Sequence, residues 1–241
     1  TGLNILRETV MGRELFDYSF KTYAQRWMFK HPSPEDFFRT MEDASAMDLD
    51  WFWRGWFYTT NVVDIGVGEV KKYFVTSKMT KEVEEMMTAR GMKESDLPPL
   101  VYLVEEGSDD FEESMRTSSL DDVSTLQEYI MDNLSPEEIS KLKKPTFFYE
   151  VTFEKPGRLP MPIIAEYTYS DGSTERVTYP VQIWKTSDQS VGKVIASDKE
   201  ITKIVVDPDE ETADVDTSNN TWPKRKKLGA FDSFKEKKIK G

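Results

Sequence analysis

The residues able to make or break bonds in this chain are few, and their spacing excludes most of the chemistry such residues do elsewhere. Cysteine is absent and histidine occurs once, at His31. Thiol nucleophiles, disulfides and thiolate metal sites are therefore excluded. A zinc helix of the H-E-x-x-H type needs two imidazoles one turn apart, which a single histidine does not supply. His31 lies between Lys30 and Pro32 at an expected helix-to-loop corner, and reads as a hydrogen-bonded corner residue instead of a ligand or base. No serine sits in a G-x-S-x-G elbow, and no G-x-x-x-x-G-K-[ST] phosphate loop occurs.

Four further constellations invite a chemical reading and lose it on inspection. Asp64-Ile65-Gly66-Val67-Gly68 holds a Gly-x-Gly, but no third glycine opens a helix after it. Glycines in such a strand-like run allow close packing or a bulge. Asp214-Val215-Asp216-Thr217-Ser218 looks like the start of a calcium loop, yet Asn219 stands where that loop needs glycine and Arg225 where it needs glutamate. A surface turn after the last strand is expected there. Asn219-Asn220-Thr221 is a glycosylation sequon, relevant only in a eukaryotic secretory host. Glu84/Glu85 and Asp109/Asp110 are adjacent in sequence, so they do not face one another on a helix. No residue of this chain is assigned a catalytic, metal-binding or cofactor-binding role.

The elements that position these residues follow from periodicity. Leu3, Leu6 and Val10 recur at helical spacing, Gly12 interrupts, and Phe16, Phe20, Tyr23 and Trp27 form an apolar stripe over three turns. Ser33-Pro34-Glu35-Asp36 is a helix start, with Ser33 as cap, Pro34 at the first position and Asp36 at the positive end of the dipole. Phe37, Met41 and Ala44 predict that helix's buried face; Leu49, Phe52, Trp53 and Trp56 predict the next, capped by Asp48. From Val62 the period becomes two. Val63, Ile65 and Val67 alternate with Asp64, Gly66 and Gly68, and Val70 to Val75 continues extended.

Lys78 to Pro145 holds 17 acidic against 8 basic residues. Helices are expected over Lys81 to Arg90 and Leu120 to Leu134, an acidic loop over Glu105 to Glu113, and a short helix after Ser135 by the same capping logic as Ser33. The stretch reads as an insertion with a solvated acidic face. Past it, Phe147, Tyr149, Val151 and Phe153 alternate strictly, and Ser170-Asp171-Gly172-Ser173 signals a tight hairpin returning through Glu175 to Tyr179. Val181, Ile183 and Trp184, Lys193 to Ala196 and Ile201 to Val206 complete a series of short strands. The expected fold class is α+β, with an α-helical subdomain at 1–61 and an immunoglobulin-like β-sandwich at 62–223 interrupted by the insertion at 78–145. A basic tail follows at 224–241, where Phe231 and Phe234 are placed to pin it back onto the protein.

Charge and composition narrow the partners. Across 241 residues the net charge is -12, which argues against nucleic acid. Charged residues make up 32%, above the usual ~25%, while 14 Phe, 10 Tyr and 6 Trp exclude a disordered chain. The expectation is a soluble, globular chain, not catalytic by itself, without a transmembrane segment. Its start, Thr1-Gly2-Leu3-Asn4, has neither an initiator methionine nor a signal-peptide pattern, and the chain is expected to be the C-terminal part of a longer protein.

An ordered series of residues in the helical region resembles a known family. Leu3-Asn4-Ile5-Leu6-Arg7, Gly12, Phe16, Tyr23, Phe29, His31-Pro32, Asp36-Phe37 and Asp48-Leu49-Asp50-Trp51-Phe52 with Trp56 are similar to the end of the catalytic domain in aminopeptidase N-like zinc metallopeptidases, the gluzincins that include leukotriene hydrolases. Asp48 to Trp56 (DLDWFWRGW) looks like that family's "sG-x-D-L-x-W-F-F-x-x-W" segment, with Ala46 where the family often has glycine. Ile204-Val205-Val206-Asp207-Pro208, with Asp214, Asp216 and Asn219-Asn220, resembles the tail of bacterial members.

The resemblance implies a parent whose thermolysin-like domain binds zinc through an H-E-x-x-H helix and a distant Glu. In such a domain a Tyr stabilises the tetrahedral intermediate and the motif's Glu acts as base. None of those positions lies in this chain, so no catalytic or metal residue is carried over. Implied partners are the N-terminal catalytic part of the same polypeptide and the parent's peptide substrate; the implied cofactor, zinc, belongs to the parent. The family's bacterial members are often exported, and the absence of cysteine fits a bacterial periplasm or envelope. Two other readings stand beside it. One is a stand-alone β-sandwich module docking a protein or glycan through Tyr167, Tyr169, Tyr179 and Trp184. The other is the tail of a degenerate, inactive peptidase relative.

Overall fold

The computed structural model describes residues 1–76, 81–93, 100–104, 132–135, 138 and 146–224. Helix α1 (Gly2–Ile5) runs into a π-helical turn over Leu6–Val10, and Gly12, at φ +80°, lets the chain turn into α2 (Arg13–Trp27). Helix α3 (Pro34–Ser45) begins with a reciprocal capping box. Asp36 N–H donates to Ser33 Oγ at 3.3 Å, and Ser33 N–H donates to Asp36 Oδ2 at 2.9 Å. It ends at Ala46, whose φ of +54° and ψ of 27° are left-handed. Helix α4 (Asp50–Tyr58) follows. Leu49 occupies its cap position, and Asp48 ties the first turn from one residue earlier by accepting the Asp50 N–H at 3.3 Å.

The helices bury Leu6, Met11, Phe16, Phe38, Met41, Leu49, Phe52 and Trp53 together. The inner face of α3 is Phe38, Thr40 and Met41, rotated from the expected Phe37, Met41 and Ala44. Thr40 explains the rotation: its hydroxyl donates to Asp36 C=O at 2.6 Å and accepts Trp27 Nε1–H at 3.0 Å. The α2 stripe is not wholly covered, since Phe20 remains exposed while stacking on Phe16 at 5.8 Å.

Two antiparallel sheets follow. The first has the order β2 (Leu100–Val104), β1 (Gly66–Thr76), β3 (Thr146–Glu154), β6 (Ser190–Ser197); the second has β5 (Thr174–Tyr179), β4 (Ile163–Tyr169), β7 (Ile201–Val206), β8 (Thr221–Trp222). They share one core, in which Val67, Tyr149, Val151 and Phe153 of the first sheet meet Ile163, Ala165, Tyr167, Ile204 and Val206 of the second. The chain is thus mixed helix and sheet, of the α+β class. Tyr73 and Phe148 lie opposite each other on the other face of the first sheet and are buried too, so strict alternation understates that sheet's burial.

Several local expectations meet their physical reasons here. The Asp171-Gly172 hairpin forms with Gly172 at φ +81°, and Asp171 Oδ1 accepts the Ser173 N–H at 2.9 Å. Lys81–Arg90 is helical as α5, and Ser135 and Glu138 make a second capping box, with bonds of 3.3 and 2.8 Å. The insertion is not wholly helical, because β2 within it pairs with β1. Val181–Lys185 is a 3-10 turn where a strand was expected; Pro180 removes a ladder donor and Trp184 Nε1–H is anchored to Met161 C=O at 2.8 Å. The turn after Asp214 precedes a final strand, β8, instead of following the last one. Of the helix expected over Leu120 to Leu134, residues 132 and 133 are helical and 120–131 lie outside the described residues, as do the acidic loop over 105–113 and the tail beyond residue 224.

Of the two glycines of the Gly-x-Gly, Gly66 is the spatial requirement, because Asn219 is held by its bond to Asp64, whereas Gly68 meets only the exposed, flexible side chain of Glu154. A Cβ on Gly66 would sit 2.5 Å from Asn219 Cγ, and one on Gly68 would sit 2.8 Å from Glu154 Oε1. The register of β1 against β3 also slips between Val67 and Val70, a bulge. Gly66→Ala is therefore expected to lower stability by about 1 to 3 kcal/mol through overpacking. Ala46→Gly is expected to raise it by about 0.5 to 1 kcal/mol, because only the left-handed conformation is relieved. Urea unfolding with an unchanged m-value checks both.

Candidate functional site

Helices α3 and α4 run antiparallel and are spaced by rings. Phe37 and Phe38 from α3 meet Trp53 at 5.6 and 4.6 Å, and Phe38 meets Phe57 at 5.3 Å. Between the helices opens a cleft of about 470 Å³, lined by Glu35, Phe38, Arg39 and Glu42 on one side and Asp50, Trp51, Trp53, Arg54 and Tyr58 on the other. The amphipathic patterns of both helices place these residues there: positions 35, 39 and 42 share one face of α3, and 50, 54 and 58 share one face of α4.

The carboxylates of this cleft are driven in opposite directions. Glu35 is held below the ordinary glutamate range by its own backbone N–H and the Ser33 hydroxyl, with Tyr58 Oη–H adding a bond at 3.3 Å. Burial pushes Glu42 up, against the Leu49 N–H that it accepts at 3.0 Å, and the negative charges of Asp50 and Asp48 push the same way. Tyr58 is raised by burial and by Glu35. The two carboxylates lie two turns apart on α3, about 10 Å along the helix, and each responds to its own neighbours.

A second cleft, of about 340 Å³, lies where the helices meet the sheets and shares Asp50 and Trp51 with the first. Lys155, only 2% exposed, lines it. Its ammonium donates to Asp188 Oδ1 at 2.9 Å and Arg158 C=O at 3.2 Å, and lies 5.3 Å from the Trp184 ring.

The residues singled out by sequence fall elsewhere. His31 is exposed in the α2–α3 corner and makes no hydrogen bond to a described residue, so it is a solvated corner residue and not a bonded one. Asp214 accepts Ile65 N–H at 3.1 Å and Asp216 N–H at 2.9 Å, and burial with Asp64 nearby pushes its carboxyl up. This is a turn scaffold. Asn219 is committed to it, donating from Nδ2 to Asp64 Oδ1 at 2.7 Å. Of the acidic pairs, Glu85 is exposed on α5, while the side chain of Glu84 and both Asp109 and Asp110 lie outside the described residues.

The four aromatics proposed as a docking face do not make one. Tyr167 and Trp184 are buried, and Tyr167 and Tyr179 share a hydroxyl bond at 2.9 Å. Tyr169 is tied to Glu175 at 2.5 Å, and burial with that carboxylate pushes it up to about 12. In contrast, Trp51, Phe52, Trp53 and Trp56 pack together: Phe52 and Trp53 are buried, and Phe52 stacks on Trp56 at 5.6 Å. Arg39, Arg54 and Glu42 carried no motif. Their only signal was charge recurring at helical spacing beside aromatic residues.

Among the described residues no group of three or more His, Cys, Asp or Glu could hold a metal ion, and no helix is long and apolar enough to cross a membrane. Comparison with sequence profiles of known protein families gives no match, and comparison with curated protein sequences gives none either.

Because Glu42 is raised in the folded chain, that state holds more protons than the unfolded one just above the ordinary glutamate range. Stability is therefore lost as pH rises through that window. Glu42→Gln keeps the acceptor for Leu49 N–H and removes the charge. Its urea midpoint is expected to gain on the native chain between pH 4 and pH 7; a difference independent of pH would contradict the burial argument.

Proposed function

We propose that this chain is the non-catalytic C-terminal portion of a zinc-dependent aminopeptidase-like protein. The helices would complete one wall of its catalytic domain, and an immunoglobulin-like sandwich would brace that wall. The carrying observation is the Asp48 to Trp56 segment, which folds as a packed aromatic helix behind a left-handed Ala46, the position where the family often has glycine. Exposed rings on the same helices, Tyr18, Phe20, Phe57 and Tyr58, favour a further covering part over a free surface.

The residues of this chain do not fit the zinc that the resemblance implies. Its one histidine stands exposed in a corner. What the chain contributes is mechanical. Phe52 and Trp53 anchor α4 against α3, and Leu159 of the sheet region packs against Gly55 of α4.

Peptidase activity and bound zinc, measured on the full-length parent and on this chain, test the reading. Both are expected in the parent and neither in this chain. Zinc and hydrolysis in the chain itself would overturn the assignment, and a parent lacking both would point to the degenerate relative.

A further inference from the structure

Strand β5 stands at an open edge of the second sheet, and its backbone phase is fixed by the hairpin that leads into it. Tyr169 N–H donates to Ser173 C=O at 2.9 Å. Bonded pairs alternate along an antiparallel ladder, so Tyr167–Glu175, Ala165–Val177 and Ile163–Tyr179 are the bonded pairs of β4 and β5. Ile164, opposite Thr178, agrees with this phase, because Asp207 N–H takes its C=O from the β7 side at 2.8 Å. Thr174, Arg176 and Thr178 therefore turn their N–H and C=O groups outward. Among the described residues no further strand meets them, and all three residues are exposed.

Such an edge is normally blunted by proline, a bulge or charge at the rim. Strand β5 pairs with β4 in unbroken register, and Pro180 comes only after its last residue. Its two charges lie back over their own sheet. Glu175 accepts Tyr169 Oη–H at 2.5 Å, and Arg176 donates to Glu166 at 3.1 Å and to Asp209, just after β7, at 2.6 Å. We propose that this edge pairs with a second copy of the chain, β5 against β5 across a twofold axis. An axis normal to the sheet sets one residue opposite itself. Centring on Glu175 or Arg176 sets like charges together. Centring on Thr178 sets Arg176 against the partner's Pro180, which has no N–H to give, and centring on Thr174 or Tyr179 leaves the strands barely overlapping. Val177 is the centre that avoids all of these. It then meets its own copy, Arg176 exchanges two backbone bonds with the partner's Thr178, and Glu175 lies opposite the partner's Tyr179. The strand edge belongs to this chain alone, and the proposal does not rest on the peptidase reading.

Sedimentation of the chain between about 10 μM and about 1 mM tests the pairing, with amide exchange followed by nitrogen-15 NMR at both ends of that range. One strand pair is a small contact beside the roughly 1,600 Å² of a stable complex, so a dissociation constant of roughly 0.1 mM is expected. The Arg176 and Thr178 amides are expected to slow with concentration, while Val177, whose N–H is already bonded to Ala165, keeps its rate. Thr178→Lys puts a positive charge opposite the partner's Arg176 and is expected to weaken the dimer about fivefold. Thr178→Glu is expected to tighten it by about as much, and both keep the unfolding midpoint of the dilute chain. A dimer in which those two amides keep their rates, or in which the two substitutions act alike, would overturn the pairing. So would a monomer throughout; if its Arg176 and Thr178 amides are already slow, another part of the same chain covers the edge.

Discussion

Everything in this chain depends on how the segment after α4 is held. Residues 59–65 have no regular structure, yet their backbone is bonded on both sides. Val62 N–H donates to Gly157 C=O at 3.1 Å and Val62 C=O accepts Leu159 N–H at 3.2 Å. Val63 C=O accepts Val215 N–H at 3.0 Å, and Ile65 N–H donates to Asp214. Only Val63 and Ile65 of this connection are buried, and buried backbone must be satisfied in this way. The bonds fix where β1 begins and therefore the register of the first sheet. They also bring Leu159 onto Gly55, which sets the position of α4. The two hydrophobic cores are joined at this seam, with Ile5 of α1 counted among the residues of the sheet core.

The fold was legible wherever a local signal and a tertiary need agreed. Ser33 and Asp36 announce a helix start because both halves of the capping box are written within four residues. The alternation of Tyr149, Val151 and Phe153 announces a strand with one inward face. Long-range pairing was less visible. Strand β2 lies in an acidic stretch whose composition argues for solvent, which hid the short apolar run of Leu100–Val104 that pairs with β1. Val181, Ile183 and Trp184 have strand spacing, but the bond from Trp184 to Met161 C=O outweighs it.

The candidate site was less legible than the fold. Motif reasoning looks for histidines, glycine loops and paired acids, and this chain has none in working order. The cleft is made of arginine, glutamate and aromatic residues on two helices whose mutual register is a tertiary fact. Nothing in the sequence says that Arg39 and Arg54 line the same cleft. Conversely, Tyr167, Tyr169, Tyr179 and Trp184 looked like a recognition surface because aromatic residues on short strands often are. Their hydroxyls and indole N–H are spent within the protein instead.

The commitment of Asn219 to Asp64 bears on how the protein is made. A sequon is modified on the nascent chain, before folding hides the asparagine. Secretion through a eukaryotic host would thus place a sugar on the nitrogen that donates to Asp64 at 2.7 Å, in a space so close that Gly66 has no room for a methyl group. The glycan and the native junction compete for one atom. Material from such a host would carry its damage at the helix-to-sheet seam, far in sequence from the helices that the seam positions, whereas a bacterial host leaves that atom to the fold.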